Sequence, residues 1–477
     1  MNSSAFRVGR VLGVLATVGM AAGLHAASPA DRPDEKPGGD TTVFADGQNA
    51  FSFPAANLSE DERTRFVLGN SFFRRNWVQA PSSTTARDGL GPHFIARSCG
   101  GCHEQDGRGA PPDIAKGTPE QPVALLIRLS IPGAPDPTAG VRPDPVYGDQ
   151  FDNAAVQGVQ PEGEVTIRHT PLRGRFADGT PYTLSRPHYG FRNLAYGPMA
   201  PGLMTSPRIA PQLIGVGLIE AIPDSEIRRN ALDQAARGGA IRGVPNLVWD
   251  AQAQQAMLGR FGWKANVATI AHQTAGAFRG DMGITSTLFP TETCTPTQLD
   301  CLAAPHGNQG SAPELDDVTF GNVVFYQATL APPARRDVND PQVLQGQKLF
   351  AQAQCSVCHR PSYVTDKGPI AALTSPALQG QTIWPYTDLL LHDMGAGLAD
   401  GRPDFGANGR QWKTPPLWGI GLINGVNGHT RLLHDGRARG VMEAILWHGG
   451  EAANSQQKVI KMNAQQRAAL VKFVESL

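Results

Sequence analysis

Cys99-Gly100-Gly101-Cys102-His103 and Cys355-Ser356-Val357-Cys358-His359 are two copies of the pattern C-x-x-C-H in a chain of 477 residues. The chain contains 6 cysteines, so the two copies hold most of its thiols. A single copy can arise by chance, whereas two copies in one cysteine-poor chain indicate a shared chemical requirement. These two segments are therefore expected to organise the fold.

C-x-x-C-H is the attachment pattern of a c-type haem. Two thiols one helical turn apart can add to the two vinyl groups of a haem, and the next imidazole, here His103 or His359, can bind the iron. A redox pair needs no such histidine, and a zinc site needs further ligands close by. We therefore expect two covalently bound haem c groups. Their thioether bonds are predicted at Cys99, Cys102, Cys355 and Cys358.

The other two cysteines, Cys294 and Cys301, have no adjacent histidine. Their short spacing predicts a disulfide that closes a small loop, with a stabilisation of about 2–3 kcal/mol from loop entropy. The N-terminus has the pattern of an export signal, because arginines precede an apolar run at 11–24 and small residues follow. We expect residues 1–27 to be removed and the mature protein to be periplasmic or secreted, without an integral membrane segment. The alternative is an uncleaved membrane anchor.

Charge composition limits the partners of the chain. Lys plus Arg and Asp plus Glu each number 42, so no basic excess draws the chain onto nucleic acid. A nucleic-acid partner is therefore not expected. The 54 glycines and 39 prolines predict many loops.

The chain also repeats the pattern L-x-G-x-G-L-I, at 213–219 and at 417–423, once after each C-x-x-C-H segment. The first gap is the longer one, which predicts an insertion at about 111–208. We expect an N-terminal haem domain over 28–330 and a C-terminal haem domain over 331–477. In each half, apolar residues at helical spacing predict a returning helix over the second haem face.

These strings resemble the di-haem oxidoreductase family of peroxidase-like proteins, within the superfamily of di-haem cytochrome c peroxidases and MauG and related to the rubber oxygenases. The resemblance runs from about Phe66 to Leu477. Besides the haem segments it rests on GRFGWKA (259–265), GDMGITS (280–286), PYTDLLLHDMG (385–395), RQWKTPPLWGIG (410–421) and HDGRAR (434–439). It implies a mainly α fold: two cytochrome c-like helical haem domains with long irregular loops and a loop-rich insertion in the N-terminal half.

The sixth iron position decides what each haem does. The family takes the sixth ligand of its C-terminal haem from the returning segment, so His448 is the expected ligand and Met394 is the rival. When Trp263 is aligned with His434, the position equivalent to His448 is Ala277, which cannot bind iron. We therefore expect an open N-terminal haem.

The resemblance also implies roles around that haem. Trp263 matches a tryptophan between the haems, Gln273 a distal glutamine and Phe278 the distal phenylalanine of rubber oxygenases. Asp281 stands where peroxidases carry a glutamate, two residues closer to the glutamine, and Glu220 is a second carboxylate candidate. Calcium is suggested by family analogy only.

The expected function is that of an exported di-haem oxidoreductase, peroxidase-like, whose N-terminal haem activates peroxide or oxygen. The C-terminal haem would relay electrons from a redox protein partner. One alternative is an electron-transfer cytochrome without catalysis, which needs a distal ligand such as His93, His169 or His188. The other is a haem oxygenase that cleaves an apolar polymer.

Overall fold

Helices and strands are mixed along the chain in its computed structural model. The described residues contain twelve α-helices: α1 (Glu60–Arg74), α2 (Cys99–Cys102), α3 (Val216–Glu220), α4 (Asp224–Ala236), α5 (Ile270–Met282), α6 (Leu299–Leu302), α7 (Asp317–Ala328), α8 (Pro341–Gln352), α9 (Ile423–Asn427), α10 (Val441–Leu446), α11 (Ala453–Ile460) and α12 (Ala464–Ser476). They also contain six two-stranded antiparallel sheets. The pairs are β1 (His93–Phe94) with β3 (Ala154–Ala155), β2 (Leu125–Ser130) with β6 (Met204–Ile209), β4 (Glu164–Arg175) with β5 (Pro181–Arg192), β7 (Leu247–Asp250) with β8 (Gln255–Leu258), β9 (Tyr363–Val364) with β10 (Thr382–Ile383), and β11 (Leu391–Asp393) with β12 (Gln411–Lys413).

The structure describes Met1 and residues 32–112, 121–308, 312–367 and 375–477. Apart from Met1, the predicted export signal lies outside these ranges. Residues 33–477 belong to one compact unit. No helix within the described ranges is both long and apolar enough to cross a membrane. The predicted disulfide between Cys294 and Cys301 is confirmed.

The predicted mainly α fold is wrong. Helices account for 31% of the chain and strands for 17%, so the fold is mixed and rich in loops. The longest strands, β2, β4, β5 and β6, lie in or at the edge of the segment 111–208 that was expected to be loops. In β2 the side chains of Leu125, Ile127 and Leu129 are buried and alternate with less buried neighbours, which is the period of a strand.

The two halves nevertheless repeat one helical framework. α1 precedes the first C-x-x-C-H segment and packs against α7, and α8 precedes the second and packs against α12. A Cβ atom added to Gly69 of α1 would lie 2.1 Å from the Asn322 carbonyl oxygen, and one added to Gly346 of α8 would lie 2.0 Å from that of Ala469. Only glycine allows so close an approach, and it does so at the corresponding place in both pairs.

The repeated L-x-G-x-G-L-I pattern has the same structural cause in both halves. Its first glycine adopts the left-handed conformation, with φ of +68° at Gly215 and +70° at Gly419. Its second glycine lies against the end of the last framework helix. A Cβ atom on Gly217 would lie 2.1 Å from the Ala328 carbonyl oxygen, and one on Gly421 would lie 1.9 Å from that of Glu475.

The returning helices differ in length. α5 has 13 residues, is capped by the Thr269 side chain and ends at Gly283, whose φ is +64°. α10 has only 6 residues and ends before His448. The N-terminal half therefore presents a long helical face to its haem segment, whereas the C-terminal half presents a helix end.

Candidate haem-binding sites

The first C-x-x-C-H segment opens onto a cavity of about 180 Å³, here called the N-terminal cavity. Cys99, Cys102 and His103 line it, and neither cysteine forms a disulfide. The Nδ1 atom of His103 donates a hydrogen bond to the Pro211 carbonyl oxygen at 2.7 Å. This bond fixes the tautomer and leaves Nε2 free to bind a metal.

The second segment opens onto a cavity of about 270 Å³, here called the C-terminal cavity. Cys355, Cys358 and His359 line it, and both thiols are free. The Nδ1 atom of His359 donates to the Tyr386 carbonyl oxygen at 3.0 Å, so its Nε2 is also free. The two cavities thus repeat one donor set of two thiols and one oriented imidazole.

Two groups in the C-terminal cavity indicate what it binds. Lys413 lines the cavity and has no ion-pair partner among the described residues, and burial lowers the pKa of its ammonium group to about 8. The buried Nε2 atom of His434 has no hydrogen-bond partner there either. Burial lowers the pKa of His434 to about 3, so the ring is neutral. A haem carries two propionate carboxylates that would satisfy such groups, and the cavity therefore fits a haem.

The C-terminal cavity contains candidates for the sixth iron position. His448 and Met394 both line it. The Nδ1 atom of His448 donates to the Ala444 carbonyl oxygen at 2.7 Å, which leaves Nε2 free. Burial and the charge of His448 together lower the pKa of His359 to about 4, and both imidazoles line the same cavity. The nearby His392 is engaged at both ring nitrogens, by Asp388 at 2.8 Å and Glu451 at 2.7 Å.

The N-terminal cavity differs from the C-terminal cavity in its candidates for the sixth iron position. Gln273, Ala277 and Asp281 line it, and among the lining residues that the structure describes His103 is the only histidine. One thioether, that of Met282, also lines this cavity.

The three histidines considered as distal ligands in the N-terminal half do not line the N-terminal cavity. His93 bonds to the Gln160 carbonyl oxygen, His169 to Ser185 and His188 to Thr170.

Asp281 is the carboxylate of the N-terminal cavity. It accepts a hydrogen bond from the Gln150 amide at 3.1 Å. Burial raises the pKa of Asp281, and the positive charge of Arg128 opposes this shift. A buried carboxyl group that lines the cavity is a candidate general base.

Two arginines that line the N-terminal cavity were not identified from the sequence. Arg128 of β2 and Arg208 of β6 both line it. In the strand register Arg208 lies opposite Leu126 and Arg128 lies opposite Ser206, so the two guanidinium groups share one face of the strand pair. Their carboxylate partners are Asp149, at 3.1 Å from Arg128, and Asp404, at 2.7 Å from Arg208. The alternation in β2 is a sequence signal for the strand that carries Arg128, but it does not indicate the pairing with β6.

Trp263 lines both cavities. Its Nε1 atom donates to the Ile209 carbonyl oxygen at 2.8 Å, and the Ile209 amide donates to the His434 carbonyl oxygen at 2.6 Å. The guanidinium carbon of Arg108 lies 5.1 Å from the centre of the indole. Trp263 is therefore held rigidly in the wall that the two cavities share.

Two other candidates do not reach the lining of either cavity. The Phe278 ring is fully buried against Trp77, with the ring centres 5.9 Å apart. Glu220 accepts a hydrogen bond from the Ile270 amide at 2.9 Å, at the start of α5, and burial raises the pKa of its carboxyl group to about 7. Glu220 therefore anchors the start of α5, and Phe278 belongs to the buried face of that helix.

Comparison with known proteins gives one match. A family model described as "Di-haem oxidoreductase, putative peroxidase" matches residues 33–132 and 200–477. The unmatched residues 133–199 include β3, β4 and β5. Searches of curated proteins and of solved structures each found no match to the chain. The two haems in the family description agree in number with the two cavities.

Proposed function

Because the chain belongs to the di-haem oxidoreductase family, we propose that it is an exported, peroxidase-like enzyme with two covalent haem c groups. Peroxide or oxygen is activated at the N-terminal cavity, and electrons pass through the C-terminal cavity. The observation that carries this proposal is that the two cavities differ in the side chain available for the sixth iron position. The C-terminal cavity offers the second imidazole of His448, whereas the N-terminal cavity offers Ala277.

The residues that would hold each haem follow from the lining. Cys99, Cys102 and His103 attach one group, and Cys355, Cys358 and His359 attach the other. Lys413 and His434 would meet propionates in the C-terminal cavity, and Arg208 would do so in the N-terminal cavity. Each bound haem supplies an iron that exchanges electrons and, where its sixth position is open, takes up a small oxidant.

Protons at the N-terminal cavity are handled by Asp281 and Gln273. Cleavage of a peroxide bond requires a proton to move from one oxygen to the other, and Asp281 takes and returns that proton at its carboxylate. The Gln273 amide donates a hydrogen bond that orients the oxidant. The positive charge of Arg128 stabilises negative charge as it develops on the departing oxygen. α5 keeps Gln273 and Asp281 in place, because Glu220 binds its first amide and Phe278 packs its buried face.

Electrons reach the N-terminal cavity through Trp263. An aromatic ring that lines both cavities shortens the gap across which an electron must pass. The source of the electrons is a redox protein partner that docks outside the C-terminal cavity.

Export to the periplasm or the medium is supported by the disulfide between Cys294 and Cys301, because disulfides persist in oxidising compartments. The mass of the mature chain tests this part of the proposal. The expected mass lacks residues 1–27 and includes two haems that remain after denaturation.

The alternative is an electron-transfer cytochrome without catalysis, and Met282 is the observation that favours it. A methionine that lines the N-terminal cavity could close the sixth position. Such a protein would not turn over peroxide. The oxygenase alternative rested on Phe278 beside the haem and on the lack of a well-spaced glutamate, and the Phe278 side chain packs against Trp77 instead.

Peroxide turnover in Asp281→Asn tests the enzyme proposal. Loss of the general base is expected to lower turnover by about 10²-fold or more while oxidant binding changes little. The matched control is Asp136→Asn, which changes an exposed turn. Equal turnover in Asp281→Asn and the control would contradict the proposal.

A further inference from the structure

A cluster of potential metal ligands lies outside both haem cavities. It consists of Glu292, His306 and Glu314, each of which offers one donor atom within 4.8 Å of the others. The Nδ1 atom of His306 lies 2.8 Å from Oε1 of Glu292. None of the three residues lines either cavity.

Within the described ranges, one carboxylate oxygen of Glu292 is buried without a partner. Its side chain is 10% exposed, and its Oε2 atom is buried without a hydrogen-bond partner among the described residues. Burial raises the pKa of Glu292, and the neighbouring charge of Glu314 raises it further. Neither carboxylate pairs with a lysine or arginine in the described part of the chain. An unpaired buried carboxylate oxygen is costly unless a cation or a donor meets it.

The ligands are held in position before any ion binds. The disulfide between Cys294 and Cys301 closes the loop that separates Glu292 from His306. Glu314 accepts hydrogen bonds from the Thr285 amide at 2.8 Å and the Gly307 amide at 3.0 Å. Bonds of this kind fix the orientation of a metal-binding carboxylate.

We propose that Glu292, His306 and Glu314 bind a divalent transition-metal ion such as Zn²⁺. Imidazole nitrogen with two carboxylate oxygens suits zinc, whereas calcium selects six to eight oxygens. Tetrahedral ligands at zinc distances lie about 3.4 Å apart, so these donor atoms, now within 4.8 Å of one another, would move closer together around the ion. His306 is exposed, which gives the ion access from solvent, and water completes the coordination.

The ion would fix the loop that follows α5. Thr285 lies three residues beyond the end of α5 at Met282, and Thr285 is also the residue that holds Glu314. The proposed role is therefore structural and does not depend on peroxide chemistry.

Zinc titration of the haem-loaded, untagged protein tests the site. After treatment with a chelator, the parent is expected to bind one Zn²⁺ per chain, and excess Ca²⁺ should not displace it. His306→Asn and Glu292→Gln should each weaken zinc binding more than about tenfold, since even the loss of an outer-shell partner commonly costs that much. The controls are His188→Asn and Glu60→Gln, which change exposed residues elsewhere.

Each outcome of the titration bears on the proposal. Zinc affinity that is equal in parent, His306→Asn and Glu292→Gln would overturn it, as would displacement by calcium or the absence of binding in the parent. Because His306 is on the surface, its variant should keep the haem absorption spectrum of the parent, which checks the fold. The result is independent of peroxide turnover, so failure of the enzyme proposal and failure of this one are distinguishable.

Discussion

Glu220 illustrates how burial sets the chemistry of single residues beside the N-terminal cavity. Its carboxyl group is buried at the first turn of α5 and accepts the Ile270 amide. Burial raises the pKa of this group from 4.5 to about 7. Between those two pH values the folded protein therefore holds a proton that the unfolded chain has released.

Glu220 is accordingly expected to contribute stability that is lost as the pH rises from about 4.5 to 7. In this window the folded state binds more protons than the unfolded state, so raising the pH favours unfolding. Glu220→Gln keeps the oxygen that accepts the Ile270 amide but does not titrate, and it should remove roughly 3 kcal/mol of this pH dependence. Denaturant unfolding at pH 5 and pH 7.5 measures the change, with Glu60→Gln as an exposed control. An identical pH dependence in Glu220→Gln and the control would refute this account.

Site residues within a short sequence motif could be predicted from the sequence. Site residues that come together only through strand pairing could not. The spacing within Cys99–His103 specifies two thiols and an imidazole wherever the segment folds. Arg128 and Arg208 are far apart in sequence and share a cavity only because β2 pairs with β6. No local pattern links the two arginines.

Among the elements, α5 and the β2–β6 pair both contribute residues to the wall of the N-terminal cavity. Gln273, Ala277 and Asp281 are spaced four residues apart, so they share the face of α5 that lines the cavity. Phe278 follows Ala277 by one residue, which turns it by about 100° onto the buried face. Resemblance at single positions suggested that Phe278 lies beside the haem, and the helical period explains why it packs behind instead.

The strand wall depends on a buried ion cluster. Asp404 accepts hydrogen bonds from Arg208 at 2.7 Å and from Arg402 at 3.0 Å, and all three side chains are buried. Asp404→Asn would leave two buried guanidinium groups without a negative partner. The expected loss of stability is about 3 kcal/mol or more.

Asp393→Asn is the matched control for this element, because Asp393 forms a partly exposed pair with Arg410. Its expected cost is below about 1 kcal/mol. Unfolding in guanidinium chloride gives both values. A loss in Asp404→Asn no larger than that in the control would show that the cluster does not stabilise β6.

At the scale of the whole molecule, the two halves share one helical framework but differ in the residues available for the sixth iron position. The repeated glycines in α1, α8 and the L-x-G-x-G-L-I segments give both halves the same helix packing. The repeated L-x-G-x-G-L-I pattern predicted two similar halves, whereas the corresponding glycines of α1 and α8 were not predicted. The sequence did not predict the strands of the insertion, whose high content of glycine and proline masked the alternation in β2.

Trp263 lies in the wall between the two cavities and is expected to assist electron transfer across it. Trp263→Phe should slow the transfer of electrons from one haem to the other. Both haem spectra should stay unchanged, because Trp263 is neither an attachment residue nor an expected iron ligand. Stopped-flow reduction followed at the two haems measures the rate. Trp249→Phe, in β7 and outside both cavities, is the control, and equal rates in the two variants would refute the role.

Cyanide titration of the oxidised protein, followed by absorption and electron paramagnetic resonance, tests the difference between the two haems most directly. The account predicts one high-spin and one low-spin haem, with one cyanide bound per chain and only the high-spin signal converted. In His448→Ala a second haem should become sensitive to cyanide. Two low-spin haems that ignore cyanide in the parent protein would contradict the account and leave the electron-transfer cytochrome as its replacement.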